Sequence, residues 1–210
     1  MCSPRPEAGA WIVLGVLVLV MAMLLPSAGQ SAQERVLLLK VIEQRGAWSD
    51  ADLYEQLHQM LSRNQRLRVL PAEPIYEDQP AFPVDVYHTD SLMNWGLEIG
   101  GRYLMVVVVD DTWLERRKSF SLPLIMHTYQ TYGVISGELR LLDLIRGRML
   151  TAEPFEVTKK GPRAWQQAFE DDRGDPALHV SAPQKVRFFT ELQKKAALML
   201  MERLQELTGV

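Results

Sequence analysis

Apolar and polar residues fall along this chain in blocks, and most blocks carry the period of a recognisable element. The stretch ERVLLLKVIE, Glu34 to Glu43, keeps its charge at the edges and at Lys40, which predicts a first strand. In WSDADLYEQLHQMLSRN, Leu53, Leu57, Met60 and Leu61 recur at helical spacing and make one apolar face. Ser49 stands where an N-cap is needed, and Asp50 and Asp52 place negative charge in the first turn, where it suits the helix dipole. RLRVLP, Arg66 to Pro71, predicts a short strand stopped by proline. This strand-helix-strand opening predicts a sheet covered on one face by helix.

Ala72 to Thr89 holds Pro74, Pro80 and Pro83 with little periodicity and reads as a loop. Asp90 then caps a short expected helix whose apolar side carries Leu92, Met93, Trp95, Leu97 and Ile99, and which Gly100 and Gly101 end. RYLMVVVVDD, Arg102 to Asp111, is apolar without interruption until its two carboxylates, so it predicts a strand buried on both faces at the centre of the sheet. Beyond Asp111 the pattern predicts hairpins: a strand over Ser121 to Gly133, another over Val134 to Leu144, a turn at Arg146-Gly147-Arg148, and a return strand over Met149 to Gly161. Pro154 marks that return strand as an edge or a bulge. A polar, turn-rich connection follows, with a short helix expected at Arg163 to Phe169. Gln184 to Leu207 closes the chain with a long helical stripe, including Phe189, Leu192, Ala196, Leu200 and Leu204. Such a helix spans about 36 Å, enough to cross a sheet. The fold expected is a single α/β domain over residues 34–208, a mixed sheet with helices packed on it, in the order β-α-β-α-β-β-β-β-α.

The N-terminus stands apart from this core. Arg5 precedes the unbroken apolar run Trp11 to Leu25; Pro26 ends the run, and small residues follow at Ser27, Ala28 and Gly29. This is the build of a secretory signal peptide over residues 1–31, cleaved near 29–32. As a helix the run reaches about 22 Å, short of a bilayer core of about 30 Å. The alternative is an uncleaved inner-membrane anchor. Cys2 is the sole cysteine and precedes the run, so it is not a lipid-attachment cysteine, and the mature chain holds no thiol for a disulfide, a nucleophile or a metal. An exported chain without disulfides suits a bacterial periplasm. The net charge of −3 gives no general pull towards nucleic acid or anionic lipid.

Three features together resemble a known group of envelope domains: a helix ending in glycines ahead of a buried strand, WGLEIGGRYLMVVVV; a hairpin of the form LRLLD-LIRGRML; and a long closing helix. The pattern is similar to the α/β domain of the N-terminal region of TolB, the periplasmic core of the curli-secretion lipoprotein CsgG, and the penicillin-binding-protein activator LpoB. The resemblance implies a non-enzymatic envelope module that binds protein partners, and it supplies no catalytic residues. The chain departs from it in lacking a lipid-anchor cysteine, membrane-spanning hairpins and an appended propeller.

Candidate chemistry is sparse. Asp110 and Asp111 could hold a hard cation or serve as acid and base at a strand end. However, neighbours on a strand point to opposite faces, which favours carboxylates accepting backbone hydrogen bonds in a turn. His58, His88, His127 and His179 are scattered, and no phosphate loop, nucleophile elbow or dinucleotide fingerprint is present. No catalytic residue, metal or cofactor is therefore assigned. WLERRKSF is the more informative stretch: Trp113, Arg116, Arg117, Lys118 and Phe120 mix cations with aromatics in an expected loop or hairpin entry. Such residues anchor protein interfaces. Tyr129 and Tyr132, on a strand expected at a sheet edge, could join them by offering that edge to a partner's strand. The function expected is partner binding in the envelope. The alternatives are a cell-wall hydrolase, which requires Asp110, Asp111, Glu115 and Glu138 to line one pocket, and a small-ligand carrier, which requires a closed apolar cavity.

Overall fold

Three strands of unusual length organise the molecule. The computed structural model describes residues 35–43, 53–73, 80–122, 126–167 and 181–209; of residues 118–122, 126–129 and 162–167 it describes the backbone alone. The expected signal segment, Ser49 and its neighbours, and His179 lie outside the described residues. The strands are β1 (Arg35–Glu43), β2 (Leu67–Pro71), β3 (Tyr103–Leu122), β4 (Met126–Asp143) and β5 (Arg148–Gln167). The helices are α1 (Leu53–Ser62), α2 (Thr89–Glu98) and α3 (Ala182–Thr208). The sheet runs β2-β1-β3-β4-β5, with β1 parallel to β2 and β3, and β4 antiparallel to both of its neighbours. Arg35 to Val210 forms one compact unit.

β3 is central, as its apolar run requires: Tyr103 to Val109 are all buried. Odd residues 103 to 109 face a core closed by α1 and α3, and Leu104, Val106 and Val108 face a second core closed by α2. Helix therefore covers both faces, not one. The reason is that β1 and β3 are apolar on both sides: Leu37 and Leu39 lie in the first core and Leu38 in the second. Burying such side chains is worth about 1.5–3 kcal/mol each.

Several boundaries differ from the expectation. β3 does not stop at Asp111 but continues for 20 residues to Leu122. Val134, expected to start a new strand, lies inside the single strand β4, so the described residues form five strands where six are expected. Arg163 to Gln167 pair with β4 as strand and not as helix. Gly133, expected to end a strand, sits within β4 opposite Leu114 and Lys159. β4 is also not an edge: it is bonded along its length to β3 on one side and β5 on the other, so it cannot accept a partner's strand. The edges are β2 and β5.

β1 ends at Glu43, opposite Val109. Past that point β3, β4 and β5 continue as a three-stranded antiparallel extension. One extra residue, Asp110, interrupts the β3–β4 register where the extension begins, since Val109 pairs with Gly137 but Asp111 with Ser136. This bulge exchanges the two faces: Val109 and Leu114 both lie in the core under α3 although their numbers differ in parity.

The helix ends follow local chemistry. His88, not Asp90, caps α2, its Nδ1 accepting from the Ser91 N–H at 3.3 Å, and Asp90 lies in the first turn. Gly100 takes a left-handed φ of 83° after α2. Gly101 is there for space instead, because a Cβ would lie 2.6 Å from Leu38 Cδ1. Ser181 starts α3, with Gln184 Oε1 accepting from its N–H at 3.1 Å. The C-terminal end of α3 is tied to β1 by Arg35 Nη1, which donates to Thr208 O at 3.2 Å.

Candidate functional site

Alternation along β3 divides the aromatic and basic stretch between two faces. Trp113, Glu115 and Arg117 stand opposite Val134, Tyr132 and Gln130, on the face away from α3. Arg116 stands opposite the buried Thr131, on the face towards α3. Lys118 pairs with Tyr129 and Phe120 with Thr128, with a second interruption between them. WLERRKSF is thus strand and not loop, and its residues do not form one patch. Trp113, Arg117 and Tyr132 share a face; Arg116 does not.

On that face the Arg117 side chain is held by two neighbours. Its Nε donates to Glu115 Oε1 at 2.7 Å and its Nη2 to Glu115 Oε2 at 3.0 Å, and its guanidinium lies over the Tyr132 ring at 4.9 Å. Residues two apart on a strand share a face, and Tyr132 lies directly across from Glu115, so the register alone assembles the group. The hydrogen bond from Arg117 holds the Glu115 carboxyl below the usual carboxylate range. The same bond raises Arg117, with Tyr132 and Glu156 adding to the effect. Both side chains remain open to solvent, at 57% for Arg117 and 38% for Glu115.

A second arginine on the same face of β4 repeats the pattern. Arg140 Nη1 donates to Glu138 Oε1 at 2.7 Å, its Nη2 donates to Tyr87 O at 3.3 Å, and its guanidinium lies over the Tyr87 ring at 5.3 Å. Unlike Arg117, this arginine is buried. It fastens the segment ahead of α2 to the sheet. Glu115, Glu138 and Arg140 were not singled out as interface residues from the sequence. The signal that could have found them is opposite charge at i and i+2 in a strand, in ERR and in ELR.

The two carboxylates that end the apolar run do not build a site. Asp110 is the exposed extra residue of the bulge, and Asp111 Oδ1 accepts from the Thr112 N–H at 2.8 Å, in a bulge and not in a turn. Glu115 and Glu138 are engaged by arginines, and none of the four acids lines any of four clefts formed by described residues. Among the described residues no three His, Cys, Asp or Glu side chains gather in a metal-holding arrangement. His58 stacks on Tyr54 at 5.7 Å, and His88 caps a helix. Beneath α3 the interior is filled: Leu192, Ala196, Ala197 and Leu200 have no exposed surface. The described clefts are open surface depressions. No described helix is long and apolar enough to cross a membrane.

No family model matches the chain, and no curated protein matches it in sequence. Among solved structures it is similar to a hypothetical protein from Chlamydia trachomatis, with 8% identity over 83% of this chain and 97% of that one and a TM-score of 0.46. It is similar to rare lipoprotein B from Shewanella oneidensis, with 14% identity over 80% and 94% and a TM-score of 0.37. It is also similar to the C-terminal domain of LpoB from Salmonella enterica, with 16% identity over 68% and 94% and a TM-score of 0.34.

Proposed function

We propose that this chain is an exported, non-enzymatic protein of the bacterial cell envelope that binds a protein partner through the β3–β4 extension. The observation that carries the reading is the Arg117 side chain, clamped by Glu115 and laid over Tyr132 beside Trp113, on a face of the extension beyond the strand residues that α2 covers. Tyr, Trp and Arg supply most of the energy of protein interfaces. Here they stand on strands, so little conformational freedom is lost when a partner docks. Export follows from the apolar run Trp11 to Leu25 and the small residues after it. Of the remaining expected residues, Arg116 is secondary, since register gives it to the opposite face, and Lys118, Phe120 and Tyr129 stay in the proposed surface by their place on the extension.

The test is a photocrosslinking residue placed at Trp113, Tyr132 or Arg116, one at a time, in cells of a bacterium that produces the protein. Positions 113 and 132 are expected to trap one discrete envelope protein, and position 116 none. Arg117→Glu is expected to reduce that product at least about tenfold, with Arg116→Glu leaving it unchanged. Equal trapping from both faces, or none from either, would overturn the reading.

A further inference from the structure

A second surface, independent of the extension, lies between α1 and α3. An open groove of about 480 Å³ runs there, floored by Met60, Leu67, Leu198 and Met201 and flanked by Arg63 and Lys194. Leu198 is 40% exposed, an apolar side chain on a helix whose main apolar stripe is buried. No residue lining the groove is acidic, although the chain as a whole carries a net charge of −3. The acid nearest in sequence to Lys194 is Glu191, one turn earlier, and it is engaged by Lys159 on β5. Arg63 and Lys194 form no salt bridge among the described residues.

We infer that this groove is a docking site for an acidic amphipathic helix of a partner protein. Shape, backbone chemistry and charge select that occupant. From Lys194 to Gln205 the α3 wall is about 17 Å long, three helical turns, which matches a helix laid alongside it. Both helical walls bond their own backbone, so an extended strand would find no ladder there and would leave its own groups unpaired, whereas a helix satisfies itself. Two methionines give an apolar floor that adapts to different anchors. Two flanking cations in a lining that holds no carboxylate favour carboxylates on the flanks of the guest and oppose a basic one.

The test uses two labelled synthetic peptides of about 15 residues. Both carry leucines at i, i+4 and i+7; one is flanked by glutamates and its twin by lysines. Wild-type protein is expected to bind the acidic peptide at least about tenfold more tightly than its twin by fluorescence anisotropy. Arg63→Glu with Lys194→Glu is expected to reverse that preference. Leu198→Ser is expected to weaken the acidic peptide without altering the thermal melt. A preference that is absent, or that survives the charge reversal, overturns the inference. So does a wild-type dimer in sedimentation that Leu198→Ser dissolves, which would make the groove an interface between copies. Binding of phosphatidylglycerol vesicles through Arg63 and Lys194, with no peptide binding, would assign it to a lipid surface.

Discussion

The ring of Phe188 occupies the space that a side chain on Gly133 would need: a Cβ there would lie 2.6 Å from Phe188 Cε1. Gly133 and Gly161 together leave a recess in the extension for this ring near the N-terminal end of α3. Gly133→Ala is therefore expected to destabilise the protein by about 1–3 kcal/mol through overpacking. Adding Phe188→Leu should recover part of the loss, because the obstacle is a side chain. Denaturant unfolding of the single and double variants measures the recovery, and an additive pair would show that the two residues do not meet.

Gly137 presents the opposite case. A Cβ there would lie 2.1 Å from the carbonyl oxygen of Val108, a backbone atom of the central strand, as well as against the Phe155 ring. Gly137→Ala is expected to cost more than Gly133→Ala, and Phe155→Leu should not rescue it. The same unfolding series decides, since rescue by Phe155→Leu would mean that the ring, not the strand, sets the limit.

Arg140 is buried and depends on Glu138 and the Tyr87 carbonyl for its hydrogen bonds. Glu138→Ala leaves a buried cation with one partner fewer, and should destabilise by about 1–3 kcal/mol. Removing both charges with Glu138→Ala and Arg140→Leu should cost less than the first change alone, because the stranded charge is gone. A double-mutant cycle measures this.

Two ion pairs fasten α3 to β5: Arg203 to both oxygens of Glu153, at 2.6 and 3.0 Å, and Lys159 to Glu191. In each case the hydrogen bond from the cation holds the carboxyl below its ordinary value of 4.5. A carboxyl lowered on folding stabilises the fold above its unfolded pKa, and that contribution is lost as pH falls through the folded value. Stability from these pairs should therefore be level from neutral pH down to about 5 and decline below about 4.5. Glu153→Gln with Glu191→Gln should lower the urea midpoint at pH 7 and flatten its fall towards pH 3. An unchanged acid limb would show that other carboxylates dominate it.

Sequence periodicity revealed the parts of this fold where burial is two-sided or helical. Tyr103 to Val109 has apolar residues at every position, and the α3 stripe repeats over 27 residues. It failed where burial changes along a single strand. The polarity that begins at Asp110 reads as a strand end, yet it records only that β1 has stopped pairing and that one side has met water. Alternation could not carry the strand further, because the bulge at Asp110 moves every later residue to the other face. Gly133 suggests a strand end by its type, but its reason is the Phe188 ring, 55 positions later, which no local window contains. The same loss of phase hid the candidate site: Trp113, Arg116 and Arg117 are neighbours in sequence, and register alone separates Arg116 from the other two.

The place of β3 in the sheet also governs the order in which the molecule can be built. β1 and β2 pair in parallel with each other, but the chain must be made as far as Val109 before β1 gains its second neighbour. Two parallel strands with one short helix hold too little apolar contact to stand alone in water. Pairing of β1 on its second side therefore waits for the central strand to be made. If the chain is exported, as proposed, that delay keeps the leading segment threadable until its passage is under way.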